Sequence, residues 1–198
     1  MAPTVRIAIV LCRVLEDEIE HFARQSPQVV HLEHLPQGLH QEPARLRGEA
    51  QAAIDRVEAL TSADVIVLGY GLCSRGTEGL RTTRCRLVMP RAHDCITLLL
   101  GSKERYAQYV SEHPGTYWYS PGWIRHHLPP GQERHERLLA DYCARFGDDN
   151  AQYLMETEQH WFRTYDRAAY VDLGVTPSDA DVRSEEHTSE LQSPDHLV

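Results

Sequence analysis

The chain predicts an α/β fold: a parallel sheet of about four strands with flanking helices, followed by an aromatic strand and turn and a helical C-terminal part. Three observations carry that reading. Short runs rich in Ile and Val alternate with amphipathic stretches in the order β-α-β-α-β-α-β, which favours a sheet covered by helices. The strand runs are continuously apolar, as expected of strands buried on both faces. Three distant cysteines, Cys12, Cys73 and Cys95, lie just past predicted strand ends, so a parallel sheet would gather them at its carboxyl edge, where open α/β sheets bind ligands.

Arg6–Leu11 is the first strand, an Ile/Val run bounded by Pro3 and by the charged segment Leu15–Gln25. In that segment Leu15, Ile19 and Phe22 recur at helical spacing. Val29–Leu32 follows the Ser26-Pro27 break as a second strand, and Pro36, Gly38 and Pro43 mark a loop. Ala44–Leu60 reads as a helix, with Leu46, Ala50, Ala53, Ile54, Val57 and Leu60 forming one apolar stripe. Val65–Tyr70 reads as a central strand because it is an unbroken aliphatic run, and Arg86–Met89 is a fourth, closed by Pro90. A helix starts near Cys95 or Ser102 and carries Tyr106, Tyr109 and Val110.

After Pro114-Gly115 the run Thr116-Tyr117-Trp118-Tyr119-Ser120-Pro121-Gly122-Trp123 predicts an aromatic strand and a tight turn. Leu138, Leu139, Tyr142 and Phe146 then predict one helix and Ala151–Thr164 another, with Gly147 between them. A single α/β domain is expected over residues 1–182, its natural sequence continuing beyond Val182. Residues 183–198 are set apart, because Arg183–Ser193 resembles the translation of a sequencing-adapter oligonucleotide, a non-native tail to be excluded from fold reasoning.

The 198 residues are 41% hydrophobic and 25% charged, an ordinary globular composition. A net charge of −9 without a Lys/Arg run argues against nucleic acid as a partner. No apolar run approaches the roughly 20 residues of a membrane span, and the N-terminus lacks a signal-peptide pattern. Five cysteines, an odd number, suit a reducing compartment in which thiols stay free. A cytoplasmic location follows as the expectation.

Thiolates are soft, charged ligands, so Cys12, Cys73 and Cys95 are the candidate metal set for zinc or iron. Three cysteines leave one coordination position for His93 or His40, an arrangement suited to an exchangeable metal. The alternative is that each cysteine is a small buried hydrophobe at a tight turn. Cys85, ahead of a strand, and Cys143, within a helix, read as structural.

The run Pro90-Arg91-Ala92-His93-Asp94-Cys95 sets an imidazole, a carboxylate and a thiol at a helix start. Asp94 is placed to cap that helix, and a helix N-terminus would lower the pKa of Cys95. His93 and Cys95 are therefore the candidate catalytic residues, with a metal-free thiol enzyme as a third reading. Gly71, in the loop with Gly69, Gly76 and Gly79, allows close approach of a cofactor or serves only tight turning. Arg91 suits a carboxylate or phosphate. Trp118 is placed to cover a flat ligand such as a corrinoid or to fill the core.

Tyr70-Gly71-Leu72-Cys73, Pro90-Arg91-Ala92-His93-Asp94-Cys95-Ile96, Leu100-Gly101-Ser102-Lys103-Glu104-Arg105-Tyr106 and Pro114-Gly115-Thr116-Tyr117-Trp118 together resemble a bacterial and archaeal family known as domain of unknown function family 1638. The resemblance spans most of Arg6–Leu173. It implies an α/β domain, association with anaerobic corrinoid and methyl-transfer systems, and a residue-by-residue carry-over to Cys12, Cys73 and Cys95. The leading expectation is a cytoplasmic protein holding a metal or metal cofactor on those cysteines, for alkyl or methyl transfer on a small-molecule ligand. The alternative is a non-catalytic binding or accessory module for a corrinoid, a small anion or a partner protein.

Overall fold

The computed structural model describes residues 4–162 and 164–175. The expected non-native tail lies outside them. Their contacts gather into two compact units, one of residues 4–107 and 171–175, the other of residues 108–170.

The first unit is built on four parallel strands, β1 (Ile7–Cys12), β2 (Val29–Leu35), β3 (Val65–Gly69) and β4 (Arg86–Val88), in the spatial order β2-β1-β3-β4. The chain moves outward from β1 to β2, then returns to the other side of β1 with β3. The strand order therefore reverses between β1 and β3, the kind of point at which the flanking loops part and leave a crevice.

Strand alternation sets the core face. Ala8 and Val10 of β1 and Ile66 and Leu68 of β3 are buried, and against them lies the stripe of helix α2 (Pro43–Leu60), where Leu46, Ala50, Ala53, Ile54 and Val57 are wholly buried. Pro43 opens α2, a position where its missing N–H costs nothing. Burying each large aliphatic here contributes about 1.5–3 kcal/mol, so Leu46→Ala or Ile54→Ala would cost roughly 2–5 kcal/mol.

Several boundaries differ from the sequence expectation for identifiable reasons. The charged stretch after β1 opens with a 3-10 turn, Arg13–Leu15, before helix α1 (Glu16–Ala23). β2 continues through Leu35 because it is an edge strand whose polar residues find partners: His34 Nε2 lies 3.1 Å from a Glu20 carboxylate oxygen, and Arg56 donates to Glu33 at 2.7 Å. The helix expected near Cys95 or Ser102 is two helices, α3 (Cys95–Leu100) and α4 (Lys103–Glu112), because Gly101 adopts a left-handed φ of 68°.

In the second unit β5 (Thr116–Tyr119) pairs in parallel with β6 (Arg167–Tyr170). The sequence reading did not assign β6, whose Arg-Ala-Ala-Tyr lacks a β-branched run. The expected turn after β5 is helix α5 (Pro121–His126), capped by the Ser120 hydroxyl accepting from the Trp123 amide at 3.2 Å. Helices α6 (Gln132–Phe146) and α7 (Asp148–Phe162) follow, separated at Gly147, whose φ is 79°.

Candidate functional site

The carboxyl edge of the four-stranded sheet collects Cys12, Cys73 and Cys95. Cys12 ends β1 beside Leu35 of β2. Alternation places it on the face of Ala8 and Val10, so its side chain looks toward the α2 core, against which it packs. Tyr70 follows Gly69, whose pairing with Leu11 ends the β1–β3 register, and its hydroxyl acts on the Cys12 thiol. Tyr70 shares the face of Ile66 and Leu68 and is only 3% exposed.

Beyond Tyr70 the chain turns sharply. Cys73, Ser74 and Arg75 have φ of 43°, 54° and 65°, three successive non-glycine residues in the left-handed region. That region costs about 1–2 kcal/mol per residue. The turn is closed by a Gly76 amide donating to the Cys73 carbonyl at 3.0 Å, and the buried Thr77 hydroxyl donates to the Gly71 and Leu72 carbonyls. Strain of this sort persists only where surrounding bonds overdetermine it, and it concentrates at functional segments.

This turn is joined to the Pro90–Asp94 loop. The Leu72 amide donates to the Ala92 carbonyl at 2.9 Å and the Cys73 amide to the His93 carbonyl at 3.0 Å. A β-carbon on Gly71 would lie 2.7 Å from the Asp94 nitrogen and 2.8 Å from its α-carbon. Gly71 is thus required for close approach of two backbones. Asp94 then caps α3, accepting from the Thr97 amide at 2.8 Å and hydroxyl at 2.9 Å. The cap delivers Cys95 at the first position of α3.

The three thiols feel one another. Burial pushes the Cys12 thiol up, partly offset by the Val14 amide and the Tyr70 hydroxyl. Burial and the Cys12 charge push Cys73 up to about 11. Cys95, whose residue keeps some surface while its sulfur is desolvated by the protein around it, is raised further by burial, then by Cys12, Asp94 and Cys73. The expected lowering at the start of α3 is outweighed by desolvation and by the neighbouring Cys12, Asp94 and Cys73.

His93 is largely exposed, its Nδ1 3.2 Å from an Asp94 carboxylate oxygen. Burial would raise Asp94, but hydrogen bonds from Thr97 and His93 hold it below the usual carboxylate range. Desolvation lowers His40, against the pull of Asp94, so that imidazole also stands within reach of the Asp94 charge. Arg91 is exposed beyond β4. Trp118 lies on β5 in the second unit, its ring 4.8 Å from that of Tyr109. Cys85 is structural, its thiol donating to the Ala63 carbonyl at 3.1 Å. Cys143 lies within α6.

Among the described residues no group of three or more His, Cys, Asp or Glu stands in an arrangement that would hold a metal ion. Thiolates are soft ligands that suit a thiophilic cation, but the positions of Cys12, Cys73 and Cys95 do not form a cage for one.

Sequence reasoning missed Tyr70 as a site residue. Its hydroxyl is buried without a hydrogen-bond partner among the described residues, as is Oε1 of Gln37, two residues past Leu35, the register partner of Cys12. Tyr70 closes an apolar run, a place where a tyrosine passes for a core residue. No described helix is long and apolar enough to cross a membrane. A family model described as protein of unknown function (DUF1638) matches residues 34–193. No curated protein and no solved structure matches the chain.

Proposed function

The chain belongs to the DUF1638 family of proteins of unknown function, and from that premise we propose that it holds a thiophilic metal ion, zinc or iron, or a metal cofactor, on Cys12, Cys73 and Cys95, in support of alkyl or methyl transfer to or from a small molecule. What supports the reading is that Cys12 ends β1 while Cys73 and Cys95 follow β3 and β4, at the carboxyl edge of the sheet, beside the point where strand order reverses. Three desolvated thiols that oppose one another's ionisation gain little by adjacency alone. A divalent cation turns that opposition into attraction.

The amide bonds of Leu72 and Cys73 to the Pro90–Asp94 loop tie the turn that carries Cys73 to the segment leading into Cys95. Arg91 and His93, at the exposed rim, orient an anionic substrate. When bound, such an ion keeps a substrate thiol ionised and nucleophilic at neutral pH.

Metal content of protein purified anaerobically tests this. Stoichiometric zinc, iron or cobalt that falls sharply in Cys73→Ser supports the reading. Absence of all three metals in the parent protein, with no uptake on addition, sinks it.

A second reading draws on the aromatic cluster of the second unit, where Trp118 meets Tyr109 and Tyr117 meets Trp123 at 5.6 Å. There the protein would be a binding or accessory module for a corrinoid. Spectral titration separates the two: corrinoid binding that survives Cys73→Ser but fails in Trp118→Ala favours the module.

A further inference from the structure

The sheet of the first unit ends on one side in β4, only three residues long, and on the other in β2, which has seven. Among the described residues no strand pairs with the outer side of β2. An edge strand presents a row of N–H and C=O groups that can template another strand, and natural edges are commonly blunted by Pro, by Lys or by a bulge. β2 carries neither Pro nor Lys. The irregularity in its pairing with β1 lies at the start, between Ile7 and Ala8, and from His31 to Leu35 the register runs unbroken. Val30 is 48% exposed, and Phe22, near the end of the preceding helix α1, is 57% exposed.

The run Val29-Val30-His31-Leu32-Glu33-His34-Leu35 is complementary to its own reverse. Alternation puts His31, Glu33 and the buried Leu35 on the α2 face. There Arg56 of α2 donates to Glu33 Oε1 at 2.7 Å, and His31 Nε2 lies 3.3 Å from Glu33 Oε2. When two copies of β2 run antiparallel about a two-fold axis through Leu32, His31 of each faces Glu33 of the other and Val29 faces Leu35. The four polar groups then form a checkerboard in which every imidazole is flanked by carboxylates and every carboxylate by imidazoles. On the opposite face Val30 meets His34, and Leu32 meets its own copy. A slip of two residues sets His31 against His31 or Glu33 against Glu33, and a slip of one sets residues of opposite faces against each other. Charge therefore selects one register.

We propose that β2 is a self-association edge, on which a second copy of this chain adds its own β2 antiparallel and joins two four-stranded sheets into one. The assignment is independent of the metal reading. Backbone hydrogen bonds between the strands supply the affinity, and the imidazole–carboxylate checkerboard supplies the register. Because the joined strands run in opposite directions, the carboxyl edges that carry the thiols fall at opposite ends of the joined sheet. A seven-residue edge is a small interface, so the dimer is weak and forms as concentration rises.

Sedimentation velocity of the reduced full-length chain over rising concentration is the measurement, and the parent is expected to pass from monomer to dimer. His31→Glu sets carboxylates against carboxylates and Glu33→His sets imidazoles against imidazoles, so each variant alone should dimerise about 10-fold more weakly or worse. An equimolar mixture of the two should recover the parent's dimer, because an all-carboxylate edge then faces an all-imidazole one. Where circular dichroism shows that either exchange disturbs folding, Val30→Lys at its exposed position decides instead, and it should weaken the dimer by blunting the edge. A parent that stays monomeric at its highest soluble concentration overturns the proposal. A dimer indifferent to the variants also overturns it, since that dimer lies on another surface. Two folded exchange variants whose mixture dimerises no more tightly than its components overturn it as well, because the register is then wrong.

Discussion

The Cys73 amide donates to the His93 carbonyl at 3.0 Å, and with the Leu72–Ala92 bond beside it this ties the loop after β3 to the loop before α3. Two segments some twenty residues apart thereby become one rim. Without those bonds Cys73 and Cys95 would sit on independent loops, each free to move.

Gly71→Ala should break that rim. The added β-carbon would press on backbone atoms of Asp94, which cannot step aside as a side chain would. We expect a loss of about 1–3 kcal/mol in stability, measured by urea unfolding, and weaker retention of any bound metal. Unchanged stability would mean that the two loops are not held together as described.

Ser74→Gly should act in the opposite direction. Ser74 has φ of 54° between two other left-handed residues, and glycine adopts that conformation without the steric cost. Against its greater loss of unfolded-state freedom, a net gain of about 0.5–1 kcal/mol is expected. Ser74→Val should instead lower the melting temperature.

The thiols should be slow in metal-free protein. Cys73 is pushed up to about 11 and Cys12 and Cys95 also lie above the ordinary thiol value. Site-resolved alkylation at pH 7 should run slower at all three than at a model thiol, and the Cys73 rate should rise with pH up to about 11. A fast-reacting Cys95 at neutral pH would favour the metal-free thiol enzyme as a reading.

Asp94→Ala removes the cap of α3 and should cost about 0.5–2 kcal/mol. Asp94→Asn, which keeps a side-chain oxygen for the Thr97 amide, should recover most of it. Comparing melting temperatures of the two variants checks whether Asp94 serves α3 as a cap.

Glu58 should contribute to acid stability in the first unit. Its carboxylate accepts from the Thr83 amide at 2.9 Å and hydroxyl at 3.0 Å, from the Arg84 amide at 2.8 Å and from the Cys85 amide at 2.9 Å. Burial would raise its pKa, but those bonds win and lower it from 4.5 to about 2. A carboxylate depressed on folding stabilises fully above the unfolded value and loses that contribution as pH falls from about 4.5 toward 2. Glu58→Gln should cost about 2 kcal/mol near neutrality after allowance for solvent screening, and should flatten the acid limb of a melting-temperature profile.

Elements that depend on neighbours a few residues away were written in the local sequence pattern. The Ile/Val runs of β1 and β3 and the apolar stripe of α2 are local periodicities, and each can be read without knowing what it packs against. The thiols at strand ends were legible for the same reason, since alternation of strands and helices fixes which ends share an edge.

Tertiary structure alone decided what joins residues far apart along the chain. The order β2-β1-β3-β4 sets Leu11 opposite Gly69 and Cys12 opposite Leu35, and no pattern within any one strand states those pairings. The strain at Cys73–Arg75 follows from bonds to Thr77, Ala92 and His93, not from the preference of Cys, Ser or Arg. Short-range periodicity writes secondary structure into a sequence, whereas strand adjacency and loop conformation are settled by contacts that form only when the whole sheet has closed.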